Sequence, residues 1–344
     1  MGNKTSLRGK LYKYLNTKEY MSKRDNTKVL ITGGLGYLGC VLTKYLLAKG
    51  YKITILDMNL YDQFNDYNIL SELKGVIIIN GDIRDEQLMQ KLINDNTVVI
   101  HLAAIVGDPA CDLDKELAVK INYLATRKIA ELINKANKKL IFSSTCSVYG
   151  ASFGGHLTEK SDVNPLSIYA ITKLAAEEAI KNIVTNHIIL RFGTLFGLSP
   201  RMRFDLVINR FIGQALQDGL ITVFGGQQKR PFLHVQDAAE AIVNFIESNK
   251  IGLFNVGGIN YSIIDVASQI QKYTGCKLVI YEEIKDPRNY VIDSSLALSL
   301  GVKFNRTIEY GIKEIIRAFD EKKIINYKDK KYNNFEFLKN KLGL

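Results

Sequence analysis

Residues 28–39 read KVLITGGLGYLG. The apolar run Val29-Leu30-Ile31 has the length and branching of a buried strand, the glycines mark a turn, and a helical pattern follows to about Lys49. Strand, glycine turn and helix in that order open a dinucleotide-binding βαβ unit. Gly33 turns the chain sharply off the strand. Gly36 lets backbone approach a pyrophosphate with no Cβ in the way, and Gly39 allows the helix to pack close to the sheet. The free N–H groups and positive dipole end of that helix suit phosphate. The next strand, over 52–56, ends in Asp57, near the ~20-residue offset of an acidic residue on an adenosine ribose. A carboxylate there accepts from the ribose hydroxyls and repels a 2′-phosphate, so the expected cofactor is NAD rather than NADP.

Outward from this unit the chain alternates. Strands are predicted over 76–80, 97–101 and 139–142, and helices over 113–137 and 165–182. Such alternation predicts an α/β fold, a Rossmann doubly wound parallel sheet with its chemistry at the strands' C-terminal ends. Asp82 and Ile83 follow the third strand and are placed to meet an adenine, although Asp82 and Asp85 are equally suited to cap a helix. Leu102, Ala103 and Ala104 follow the fourth strand, where small side chains let a cofactor lie close to the backbone. His101 reads as a strand-end packing residue. Asn122 falls inside a helix, where Asn is mildly unfavourable, and is expected to bridge structure near the cofactor. From about Leu195 Gly and Pro separate shorter elements: helices over 237–249 and 262–273 and a strand over 252–256. The expected organisation is a basic extension (1–27), a Rossmann domain (28–195), a smaller, mainly substrate-binding lobe interleaved with it (196–320), and a basic tail (321–344).

The 344 residues carry a net charge of +11, which by itself suggests an anionic partner. Its distribution says otherwise. Residues 1–28 hold eight Lys/Arg against two Asp/Glu, residues 321–344 hold seven against three, and the stretch between holds 31 against 30. The body is near neutral, so no nucleic acid is expected to bind it. No apolar run approaches the ~20 residues of a membrane span, and no secretory signal is visible. The four cysteines show no zinc or C-x-x-C spacing, so no metal is expected and the thiols read as those of a cytoplasmic protein.

The chemistry sits after the fifth strand, where residues 143–150 read SSTCSVYG. Tyr169 and Lys173 open the following helix at i and i+4, on one face. A free phenol titrates near ~10, and a neighbouring ammonium or a cationic nicotinamide favours its phenolate. Tyr169 is therefore a candidate general base, Lys173 a holder of the nicotinamide ribose, and Thr145 a hydroxyl that aligns a substrate alcohol and stabilises charge on its oxygen. Y-x-x-x-K recurs at Tyr14, Tyr45, Tyr273, Tyr281 and Tyr327. Placement selects Tyr169, which stands 24 residues beyond Thr145.

These motifs together resemble the extended short-chain dehydrogenase/reductases of the NAD-dependent nucleotide-sugar epimerase/dehydratase type. The resemblance runs from about Thr27 to Asp320 and includes TGGLGYLG, GDIRD, HLAA, SSTCSVYG, LRFGTLFG, RPFLHVQD and PRNYVIDSS. It implies a Rossmann core, bound NAD, a nucleotide diphosphate sugar substrate and a homodimer. It assigns catalysis to Thr145, Tyr169 and Lys173, and adds Tyr37, Leu38 and Phe192 to the cofactor site. Arg230 and Arg288 are the implied diphosphate ligands, their planar forks suiting phosphate, with Arg201 as a further substrate contact. Arg203 stands beside it in LSPRMRFDL, a stretch that resembles a bacterial branch acting on capsule heptoses, although SSTCSVYG differs from that branch.

The family's 4,6-dehydratases follow the Thr with Asp-Glu, the acid and base for water loss. Here Cys146-Ser147 stand there, which disfavours dehydration. The remaining chemistry needs only Thr145, Tyr169 and Lys173: oxidation at C4 to a transient 4-keto sugar, then return of hydride to the opposite face. A 4-epimerase is expected. A net 4-dehydrogenase or reductase, for example on a nucleotide heptose, stays open, as does a non-catalytic NAD- or RNA-binding protein on the same fold.

Overall fold

The computed structural model describes residues 27–151, 155–283 and 289–343. Residues 1–26 of the expected N-terminal extension, and Arg288, lie outside the described residues. Seven strands form the central sheet: β1 (Lys28–Thr32), β2 (Lys52–Asp57), β3 (Ile77–Asn80), β4 (Val98–His101), β5 (Lys139–Thr145), β6 (His187–Phe192) and β7 (Gly252–Val256). Their order is β7-β6-β5-β4-β1-β2-β3, and every pairing is parallel. Strands buried on both faces need continuous apolar runs rather than alternation, and VVIH of β4 and HIILRF of β6 are buried throughout.

Side chains alternate across each strand. Val29 and Ile31 of β1 join one core layer and Leu30 the other, all with no exposed surface. Burying each such side chain stabilises the fold by about 1.5–3 kcal/mol. Helices α1 (Tyr37–Ala48) and α6 (Val235–Glu247) cover the first face. Helices α3 (Thr126–Lys135) and α4 (Ile168–Ile183) cover the second, with α2 (Asp108–Leu113) beside them and α5 (Val207–Gln217) in the C-terminal lobe. The register levels the C-terminal strand ends: Thr32 lies opposite Leu56 and His101, His101 opposite Phe142, and Thr145 opposite Phe192. Everything that follows these residues therefore emerges along one edge.

Three features differ from the sequence reading. The stretch 113–137 is broken: Asp114 caps a new helix by accepting from Leu117 N at 2.9 Å, and residues 120–125 form a π-helical turn. The 252–256 strand lies at the edge of the central sheet, parallel to β6, not in the smaller lobe. Its local pattern fixes a strand but not its partner.

The third difference concerns 321–343, which is folded onto the body. Tyr332 O accepts from Phe204 N at 2.8 Å, and Tyr327 packs against Gly213, where a Cβ would come within 2.6 Å of the ring. The segment ends in α7 (Asn334–Leu342), with Leu338 only 4% exposed in the second core layer. Its lysines stay at the surface while Tyr327, Tyr332 and Leu338 pack inward, so net charge misdescribed a segment held by its few apolar residues. Among the described residues no helix is long and apolar enough to cross a membrane.

Candidate active site

The glycine-rich turn follows β1 and is drawn tight. Gly33 has φ +71°, donates its N–H to Leu56 O, and a Cβ there would come within 2.7 Å of Ala103 N. Only glycine fits. A Cβ at Gly39 would meet Gly34 O at 2.5 Å, so this glycine relieves contact between α1 and its own turn, not the sheet. Asp57 is buried at the end of β2; its carboxylate accepts from Leu35 N at 3.1 Å and Asn59 N at 3.0 Å. Burial raises its pKa despite those donors.

These groups open on a cavity of about 1000 Å³ running along the C-terminal edge of the sheet. Gly33, Gly36, Tyr37, Leu38, Gly39 and Asp57 line it, as do Ile83, Leu102, Ala103, Ala104 and Phe192. Asp82, expected to meet an adenine, is not brought to it, and Asn122 reaches it only through the backbone it holds. The Asp82 carboxylate is taken by Arg84 at 2.6 Å, and Asp85 is the residue that caps the next helix, accepting from Leu88 N at 3.0 Å. Asn122 is 1% exposed and lies behind the wall. Its amide accepts from Ile105 N at 2.8 Å and donates to Ile105 O at 3.0 Å, fixing the backbone just past Ala104. The π-helical turn turns this side chain toward that loop.

The three catalytic candidates meet at the other end of the cavity. Thr145 ends β5, and its hydroxyl accepts from Ser147 N at 3.0 Å. Helix α4 is capped by Ser167, which accepts from Ala170 N at 3.2 Å and donates to Asp108 Oδ1 at 2.7 Å. Such a cap contributes about 1 kcal/mol and here ties α4 to α2. One face of α4 then carries Tyr169, Lys173 and Glu177. Tyr169 and Thr145 both line this end of the cavity. Lys173 is 3% exposed, with Nζ 4.0 Å from the centre of the Phe142 ring. Glu177 is fully buried and binds Arg191 of β6 through contacts of 2.7, 3.0 and 3.2 Å.

Charge at this end differs from the expectation. Tyr169 is half-buried and opens on the cavity, yet desolvation raises its pKa well above that of a free phenol; the nearby Cys111 adds to this, while Arg203 and the Thr145 hydroxyl oppose it. Burial lowers Lys173 to about 7, against the attraction of Glu177. The ammonium expected to favour a phenolate is thus itself half-titrated near neutrality. Desolvation outweighs the pairwise attraction that the i, i+4 spacing suggested.

Of the substrate candidates, Arg230 lines the cavity, is 7% exposed and lies 5.2 Å from the Tyr290 ring centre. Arg201 also lines it, but on the cofactor side, 4.5 Å from the Tyr61 ring centre and close enough to Asp57 for its charge to be felt there. Sequence reasoning missed Tyr61, Asp205 and the C-terminal Asn333, Asn334 and Phe335, all lining the cavity. Asp205 holds the buried Arg203 at 3.0 and 2.7 Å. The two-residue spacing Arg203-x-Asp205 was the available signal; none marked Asn334.

A profile of the NAD-dependent epimerase/dehydratase family matches residues 29–257, and the chain belongs to that family. It is 32% identical to the UDP-N-acetyl-α-D-glucosaminuronate decarboxylase of Bacillus cytotoxicus, over 86% of this chain and 98% of the relative. Its fold superposes on the UDP-glucuronic acid 4-epimerase of Bacillus cereus, solved with UDP-glucuronic acid and NAD, at a TM-score of 0.75 and 29% identity over 86% of this chain and 99% of that one. MoeE5, solved with UDP-glucuronic acid and NAD, superposes at 0.75 and 27% identity over 86% and 99%. The protein is an NAD-dependent enzyme that modifies nucleotide sugars. Its residues fit that cofactor: a turn where a Cβ has no room, a buried carboxylate at the end of β2 and a buried lysine stand in one cavity.

Proposed function

We propose that this chain is a nucleotide-sugar 4-epimerase acting through a transient 4-keto sugar. One observation carries the reading. Thr145, Tyr169 and Lys173 line one cavity, while the positions after Thr145 offer no carboxylate. Cys146 is 1% exposed, turns its thiol to Arg191 O at 3.3 Å, and has its pKa raised by burial. Ser147 faces the cavity but is no acid or base near neutrality. Elimination of water would need both.

Thr145 receives the C4 hydroxyl and aligns it on the Tyr169 oxygen. Tyr169 takes the hydroxyl proton once positive charge lies beside it and returns it in the second half of the reaction. Lys173 holds the nicotinamide ribose and supplies part of that charge. NAD, when bound, accepts and gives back the C4 hydride. Arg230 holds the substrate diphosphate as a charged fork, a role we also assign to Arg288. Inversion follows when the keto sugar turns its other face before hydride returns.

The relatives act on or bind uronate sugars, and this favours a second reading. Oxidising C4 of a uronate creates a β-keto acid, which can lose carbon dioxide before hydride returns. Leu124 and Ile171 are 48% and 47% exposed on helical segments that contact each other; they support a homodimer. A cytoplasmic location is supported by four buried, unbridged cysteines.

The test incubates purified protein with UDP-, GDP-, dTDP- and CDP-sugars, uronates included, followed by mass spectrometry and proton NMR. Unchanged mass with inverted C4 coupling is expected. Loss of carbon dioxide establishes the second reading. Loss of water or of two hydrogens overturns both, in favour of a dehydratase or a dehydrogenase.

A further inference from the structure

Three buried polar groups that line the cavity have atoms without a hydrogen-bond partner among the described residues: Tyr61 Oη, Arg201 Nη2 and Asn334 Oδ1. They come from three distant segments. Tyr61 lies on the loop four residues beyond Asp57. Arg201 is 6% exposed and follows Ser199, whose hydroxyl donates to Tyr37 O at 2.7 Å, so this stretch is pinned to the first turn of α1. Asn334 is 4% exposed and begins α7, which Asn333 caps by accepting from Glu336 N at 3.2 Å.

Helix α7 is fastened to the cofactor end. Phe337 meets the Tyr61 ring edge-on at 5.6 Å between centres. Lys341 donates to Leu60 O at 3.0 Å and pairs with Asp62 at 3.1 Å. Leu338 is buried in the layer that includes Cys111 of α2. The loop bearing Asp57 and Tyr61 thus lies under α7, and the N-terminal turn of α7 opens on the cavity.

A buried guanidinium with an unused donor needs an anion. A buried amide oxygen with no donor needs a hydroxyl or N–H. A helix N-terminus favours negative charge. A ribose joined to a diphosphate supplies all three. Both NAD and a nucleotide sugar carry that unit, but Asp57, Tyr61 and the α1 turn place these groups at the cofactor end. We propose that the C-terminal segment is part of the cofactor site: Asn334 and the first turn of α7 join Arg201 in holding the ribose–diphosphate portion of NAD. The segment straps the cofactor in. Arg201 is then a cofactor ligand, not a substrate one. The inference rests on the enzyme binding NAD and on nothing about the sugar.

The test measures NAD affinity calorimetrically on full-length protein stripped of cofactor, and UDP affinity on the NAD-loaded form. Asn334→Ala should weaken NAD about fivefold, one lost hydrogen bond. Asn334→Asp should weaken it further, because a carboxylate there repels the diphosphate although it suits the helix N-terminus. Arg201→Gln should weaken NAD more than tenfold, with UDP affinity within about twofold of the parent for all three variants. Circular dichroism confirms that each variant is folded, and Asn334→Asp keeps the test alive if Asn334→Ala is not. NAD affinity unchanged in Asn334→Asp and Arg201→Gln overturns the proposal. So does a loss confined to UDP, which would give the cluster to the sugar nucleotide. A failed sugar assay with these NAD results intact would sink the 4-epimerase reading alone.

Discussion

Substituting Glu177 by Gln should loosen the helix that carries Tyr169 and Lys173. Glu177 is fully buried and Arg191 is 2% exposed; three contacts of 2.7–3.2 Å join them, and Ser144 donates to the same carboxylate. Arg191 has one further nitrogen, Nη1, with no hydrogen-bond partner among the described residues. Gln keeps the volume but removes the charge that compensates the guanidinium. Breaking a buried pair from one side costs about 3–5 kcal/mol, because the other charge is left uncompensated. Gln still offers one carbonyl to Arg191, so the lower end applies, about 3 kcal/mol. With a urea slope near ~3 kcal/mol/M, the unfolding midpoint should fall by about 1 M. The assay is urea unfolding followed by circular dichroism. A control separates charge from shape: Glu177→Leu with Arg191→Met removes both partners and should recover most of the loss, since apolar replacement of a buried pair is often neutral. A loss under about 1 kcal/mol for Glu177→Gln, or a double variant no more stable than the single one, would refute the argument.

Tyr169→Phe should abolish turnover while the protein still retains NAD, read from the absorbance of released cofactor; turnover within tenfold of the parent would remove Tyr169 as the base. Gly33→Ala should lose NAD and stability together, because φ +71° and a Cβ 2.7 Å from Ala103 N leave no room; a thermal melt and cofactor content measure both, and parental values would show that the turn relaxes. Asp57→Asn should narrow the preference for NAD over NADP by removing repulsion of a 2′-phosphate, and an unchanged ratio of calorimetric affinities would place the discrimination elsewhere. His101 is fully enclosed, and burial, with some repulsion from Lys173, lowers it to about 3. The unfolded imidazole binds a proton below about 6.5 and the folded one does not until about 3, so stability should fall as pH drops through that window by about one proton of slope. His101→Gln should flatten urea stability across the window; an unaltered slope would assign the acid sensitivity to other groups.

The sequence by itself determined the βαβ opening, the position of Asp57, the parallel character of the central sheet and the Tyr169/Lys173 pair. Each rests on a local rule: strand and helix periods, a glycine where φ is positive, an i, i+4 face. Lines of one residue type at one spacing survive folding because backbone geometry alone creates them. Tertiary structure decided what depends on distant segments. It used Asn122 to fix the loop at Ile105, 17 positions earlier in the chain. It set Arg201 over Tyr61, 140 positions earlier in the chain, and laid Asn334 beside the cavity from a stretch whose charge read as a tail. It also decided the titration of Tyr169 and Lys173. Spacing shows which charges are neighbours, but desolvation scales with everything packed around them, and that is known only once the chain has folded.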